Sequence, residues 1–170
     1  VTIIPDFAFA LEDMFLKTEA TARSLPRIGL VLSGDAFGHQ YEAMRVAIRK
    51  YTIGNPIAEF IHIPHSRSYV DRFNNDVLVG EALWSGISIY HAEREERFRC
   101  APFTNEIAAI AATYKTLDAV ISERYHGILF GLMSKIPVIA AIGNIKNRSI
   151  LEDFPDRGIL GFLTDEELHE

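Results

Sequence analysis

The chain has 170 residues, of which 48% are hydrophobic, and a net charge of −6; that is enough for one domain with a sizeable core and too apolar for a disordered chain. An acidic balance excludes a broad nucleic-acid surface, which needs a basic face, yet leaves room for a small anionic ligand held by a local cluster of cations. The single cysteine, Cys100, excludes an internal disulfide and fits a reducing compartment.

The opening run, VTIIPDFAFALEDMF, has acidic residues and no basic leader, so it is not expected to be a signal peptide. Residues 1–4 are strand-like, and Pro5 and Asp6 suit the first turn of a helix. Residues 17–26 are polar and read as a linker. The expected division is an N-terminal helix and linker segment, residues 1–26, and an α/β domain, residues 27–170. Residues 28–32 form a continuous apolar run, as in a central parallel strand. Ser33 and Gly34 open a glycine-containing turn that can let a phosphate approach the backbone. Its spacing matches neither a dinucleotide fingerprint nor a P-loop, and a turn that merely needs glycine explains it as well. An amphipathic helix is expected over 40–50.

A second strand is expected over 59–63, followed by the loop Pro64-His65-Ser66-Arg67-Ser68. His65 and Arg67 either face a cleft or are solvated loop side chains. Val70, Phe73, Val77, Leu78 and Ala82 roughly fit a helix over 69–84, and the alternation at 86–90 predicts a third strand. The mixed-charge run HAEREERFR, 91–99, reads as a solvated loop or short helix. Thr104 suits a helix N-cap, and Ile107, Ile110, Ala111 and Tyr114 fall at i, i+3, i+4 and i+7, one buried helix face.

The densest information lies in LDAVISERYHGILFGLMSKIPVIAAIGNIK, residues 117–146. A β-branched run at 119–122 predicts a buried strand. The polar knot Glu123-Arg124-Tyr125-His126-Gly127 follows, then an apolar helix ending before Pro137, then a strand at 138–142. A short helix over 147–154, a turn, a last strand or packed loop at 159–163 and an acidic tail complete the chain. Strands alternating with helices predict a parallel sheet of about five or six strands, whose carboxyl ends are where ligands bind. The longest apolar run contains Lys135 and Pro137 and is too short to span a bilayer.

Arg124 and His126 stand where a helix N-terminus offers free N–H groups to an anion. The guanidinium fork suits a carboxylate or phosphate; an ion pair with Glu123 or Asp118 is the alternative. His126 can move protons near neutral pH or simply cap the helix. Gly127 permits close backbone approach or close helix packing. Lys146 can neutralise a second anionic group or stay exposed, and Lys135 favours the helix C-terminus. No metal motif, no Ser-centred nucleophile elbow and no base near Cys100 is visible, and no cofactor is expected.

The pattern D-x-V-I-S-x-R-x-H-G, an apolar helix, I-P-V-I-A and a later Lys resembles the polysaccharide pyruvyl transferase family. It is carried by Asp118, Val120, Ile121, Ser122, Arg124, His126, Gly127, Pro137 and Lys146, with a weaker match at Pro5-Asp6. The family usually has an aromatic residue shortly before the Lys; here Gly143-Asn144-Ile145 stands there. The resemblance implies a Rossmann-like parallel sheet flanked by helices, one half of a GT-B fold, with residues 27–170 as the donor-binding domain. It implies that family members have about twice this length, and that this chain corresponds to their C-terminal half. The implied activity is transfer of a pyruvyl group from phosphoenolpyruvate to a sugar of a cell-surface polysaccharide or its lipid-linked precursor. His126 and Arg124 are then the catalytic candidates, and Gly127, Lys146, Ser33, Gly34 and Arg67 the substrate-binding ones. The expected partners are phosphoenolpyruvate and a glycan or lipid-linked acceptor, not nucleic acid, with self-association and peripheral membrane association in view. The expected location is the cytoplasm, at the inner face of the membrane. A GT-B glycosyltransferase using a nucleotide-sugar, or a non-catalytic anion-binding or interaction domain, are the alternatives.

Overall fold

The structure, a computed structural model, describes residues 11–16, 23–33, 46, 58–71, 74–88, 97–141, 147, 150 and 159–163, the backbone alone at 87–88, 141 and 159–163. Six strands form one sheet: β1 (Arg27–Val31), β2 (Glu59–His62), β3 (Phe98–Cys100), β4 (Ala119–Ser122), β5 (Val138–Ala141) and β6 (Ile159–Leu163). All neighbours are parallel, in the order β3-β2-β1-β4-β5-β6. The four described helices are α1 (Glu12–Phe15), α2 (Asp76–Ser88), α3 (Ile107–Tyr114) and α4 (Tyr125–Met133). The Rossmann-like sheet flanked by helices is therefore present.

Both faces of the sheet are covered, which is why its strands read as unbroken apolar runs. One core joins Val31, Ile61, Val120 and Val138 to Phe15, Tyr114 and α4. The other joins Leu30, Leu32, Phe60 and Phe98 to Val79 and Leu83 of α2. Phe15, from the segment assigned to residues 1–26, is fully buried and stacks on Phe130 with centroids 4.7 Å apart.

Helix α4 is buried from Gly127 to Met133. Its glycines bring it close to the strands: a Cβ on Gly131 would lie 2.6 Å from Val120 Cγ1 and 2.7 Å from Val138 Cγ2. The helix ends at Ser134, after which Lys135 takes φ 54°. The Ile136 N–H bonds to the Gly131 carbonyl and the Lys135 N–H to the Leu132 carbonyl, the paired bonds of a Schellman ending. Lys135 thus closes the helix through its backbone.

Four local expectations are corrected. Residues 86–88 continue α2 and do not start a strand, because Val79 and Leu83 hold that helix against the sheet. The third strand comes from the end of the charged run instead, where Phe98 is buried and Arg99 and Cys100 are exposed. An edge strand of three residues with one inward apolar side chain is too short to give a period. The helix expected from residue 69 begins at Asp76; before it the Ser68 N–H bonds to the Asn74 carbonyl and the Asp76 N–H to the Ser66 carbonyl. Thr104 does not cap α3 directly; its hydroxyl accepts the Glu106 N–H, and Glu106 occupies the cap. The expected strand at 1–4 lies outside the described residues, as does the helix at 40–50 apart from Val46, which is helical.

Candidate functional site

The strand order reverses between β1 and β4: from β1 the chain moves outward to β2 and β3, then returns to build β4, β5 and β6 on the other side. In open parallel sheets such a reversal, at the carboxyl ends of the two strands, is the usual place for a ligand crevice. Val31 and Ser122 end the pair. The Glu123 N–H bonds to the Val31 carbonyl, and the Ser33 N–H donates to Glu123 Oε2 at 2.8 Å. Helix α4 starts here, and His126 is exposed while the rest of the helix sinks into the core. Arg124 is the N-cap residue in extended conformation and gives no side-chain cap bond.

The Arg124 side chain is engaged across the crevice. Its Nη2 lies 2.5 Å from Asp76 Oδ1 and its Nε 3.3 Å from Asp76 Oδ2. Asp76 is the first residue of α2 and fully buried. Its Oδ2 also accepts the backbone N–H groups of His65 and Ser66, at 3.1 and 3.0 Å. One carboxylate therefore joins the loop after β2 to the residue after β4. Those strands flank β1 and stand about 10 Å apart, two strand spacings, a gap that a long Arg side chain can bridge. Arg124 has five N–H donors, and those not facing Asp76 remain for a ligand. The pairing expected with Glu123 or Asp118 is not what Arg124 makes. Asp118 instead accepts from Arg23 Nη2 at 2.8 Å and from the Arg27 N–H at 2.9 Å, at the opposite end of the sheet.

His65 stands beside this pair. Its Nε2 lies 3.0 Å from the hydroxyl of Tyr114, a fully buried residue. Its ring tilts against Phe130 at 5.5 Å, and His126 approaches the same phenyl at 6.1 Å. Burial, helped by the charges of His126, Arg124 and His62, pulls the His65 pKa down to about 3. Burial raises that of Tyr114 well above its ordinary value. Both side chains are thus neutral in ordinary buffers. His62, against Gly80 of α2, is fully buried, with Nε2 2.8 Å from the Asp76 carbonyl, and burial lowers its pKa too.

The crevice therefore brings together Arg124, His126, His65, Asp76 and the open start of α4: a guanidinium, a solvent-reachable imidazole and a neutral imidazole in one place. Such a set can hold an oxyanion and move a proton beside it. Ser33 is there too, but its N–H already faces the Glu123 carboxylate. Gly127 packs downward: a Cβ would press on Ser122 Oγ and lie 2.8 Å from Val31 Cγ1. Arg67 sits on the rim, exposed, bridged to Asn75 and 5.0 Å above the Tyr69 ring. Gly34 and Lys146 lie outside the described residues. Asp76 and Tyr114 were missed from sequence. Asp76 lies inside the helix expected over 69–84, and Tyr114 looks like plain core.

A profile of the polysaccharide pyruvyl transferase family matches residues 1–146. No curated protein matches the chain. Among solved structures, the C-terminal domain of a glycosyl transferase group 1 family protein from Francisella tularensis superimposes with TM-score 0.50 at 16% identity, covering 85% of each chain. An O-GlcNAc transferase from Thermobaculum terrenum gives TM-score 0.56 at 18% identity, over 98% of this chain but 29% of that one. At these identities the likeness concerns fold, which is that of one half of a GT-B enzyme.

Proposed function

The chain belongs to the polysaccharide pyruvyl transferase family, and from that membership we propose that it binds phosphoenolpyruvate and serves the transfer of its pyruvyl group to a sugar hydroxyl of a polysaccharide or lipid-linked precursor. The observation that carries this reading is the convergence of Arg124 and His126 at the start of α4, in the crevice between β1 and β4. Phosphoenolpyruvate carries a carboxylate and a phosphate, and the guanidinium edge left free by Asp76 and the α4 N–H groups are matched to such oxyanions. Because Asp76 offsets the Arg124 charge, further positive charge is needed for a ligand of this kind; Lys146 is the proposed source. Arg67 on the rim, Gly34 and the backbone near Gly127 complete the proposed substrate contacts.

Ketal formation requires a proton on the enol methylene, bonds from sugar oxygens to the former enol carbon, loss of sugar hydroxyl protons and departure of phosphate. His126, exposed to the crevice, is the proposed proton carrier. His126→Ala in the complete enzyme is expected to lower kcat about 100-fold or more while the fold survives. Wild-type turnover in that variant removes His126 from the mechanism. Binding is measured separately, by calorimetry with phosphoenolpyruvate in competition with nucleotide-sugars. Preference for a nucleotide-sugar would replace this reading with glycosyl transfer.

A further inference from the structure

We infer that His65 is a second ligand-binding group of this site, a permanently neutral donor whose Nδ1–H, fixed by the Tyr114 hydroxyl, bonds to an oxyanion of the donor beside Arg124. This rests on the donor reading above and adds to it a residue and a protonation state.

Tyr114 is fully buried, and its hydroxyl has one partner among the described residues, His65 Nε2 at 3.0 Å. A buried O–H with nowhere to donate is costly, whereas a buried oxygen that merely lacks a second donor is tolerated better. The hydroxyl therefore donates and Nε2 accepts. A neutral imidazole that accepts at Nε2 carries its proton on Nδ1. Burial holds His65 neutral, and the nearby His126, Arg124 and His62 also oppose a positive charge there. Of the acids here, Asp76 is engaged by Arg124 and by backbone N–H groups of the loop, and Glu123 Oε2 accepts the Ser33 N–H. The tautomer is thus set by one hydrogen bond and the charge state chiefly by burial.

Position is fixed as tightly. The His65 backbone N–H and the Arg124 guanidinium bond to the same carboxylate, Asp76. The His65 ring lies against Phe130, as does His126. Nδ1 has no hydrogen-bond partner among the described residues, while the ring itself packs on Tyr114 and Phe130. The two histidines divide the work by environment. His126 reaches solvent, whereas His65 can only donate a hydrogen bond. A neutral donor binds an oxyanion without adding to the charge that the departing phosphate must leave behind.

The experiment uses the chain itself, labelled with ¹⁵N on histidine. Long-range proton–nitrogen spectra are expected to show His65 as the Nδ1–H tautomer, unchanged from pH 5 to pH 9, and Tyr114→Phe is expected to disturb that pattern. An Nε2–H tautomer, or a protonation midpoint above pH 5, overturns the inference whatever the enzyme's reaction. Titration with phosphoenolpyruvate, and separately with inorganic phosphate, should shift Nδ1 of His65. His65→Asn, whose amide N–H takes the place of Nδ1–H, should hold phosphoenolpyruvate within about threefold of wild type, and His65→Gln should weaken it about tenfold or more. A His126 response with none at His65 overturns the inference and leaves the donor reading intact. A His65 response to phosphate alone keeps the group as an oxyanion donor and sinks phosphoenolpyruvate as its ligand. Silence at both histidines sinks both.

Discussion

Arg124 acquires its significance from Asp76. The pair is enclosed, with the Asp76 side chain fully buried and that of Arg124 22% exposed. Deleting one partner strands the other charge, so Asp76→Ala is expected to cost about 3 kcal/mol, read as a lower midpoint in urea at unchanged slope. Arg124→Ala should cost a similar amount, and the double variant much less than their sum, because the two share one interaction. Additive losses would show that the contact contributes little. The sequence exposed Arg124, since a guanidinium beside an imidazole after a β-branched strand is visible locally. It did not expose Asp76, which lies 48 residues away and meets Arg124 only because two separate strands flank β1.

Helix α4 is the element on which the site depends, and its two ends teach different lessons. Gly131→Ala should raise intrinsic helix propensity by up to about 1 kcal/mol. The added methyl, however, meets Val120 and Val138, both fully buried strand residues. Overpacking of this kind costs about 1–3 kcal/mol, so net destabilisation is expected, measured as a lower melting temperature. Lys135 gives the opposite sign. Its φ of 54° suits glycine better than lysine, so Lys135→Gly should stabilise by about 1 kcal/mol; a lower melting temperature would show that its side chain matters instead. Sequence reading placed this helix and its stop before Pro137 correctly. It took Gly127 as either a ligand contact or a packing contact, and Ser122 and Val31 now occupy the space a side chain would need.

The whole molecule carries a pH dependence written in its buried histidines. His65 has a folded pKa of about 3, and that of His62 is also lowered from 6.5. The unfolded chain therefore binds protons that the folded chain refuses. The stability held by His65 is complete above pH 6.5 and is lost as pH falls from there toward 3, by up to about 1.4 kcal/mol per pH unit; His62 acts in the same direction. Urea midpoints at pH 7.5, 6 and 5 should fall in that order, and His65→Asn should flatten the curve. A flat profile across this range would show that both rings take up protons without loss of the fold. Among the described residues, no helix is long and apolar enough to cross a membrane.

What the sequence determined by itself was the class of fold and the address of the candidate site. Buried parallel strands are apolar along their length and helices between them have a 3.6-residue period, so both announce themselves within a few residues; the knot Glu123 to Gly127 marks a strand end in the same local way. What only the tertiary structure decided was the company Arg124 and His126 keep. Strand order sets β2 beside β1 and β1 beside β4, and with that order come Asp76, His65 and Tyr114. Periodicity reports whether a residue is buried, while the identity of its neighbour depends on how distant strands pair, which no local pattern encodes.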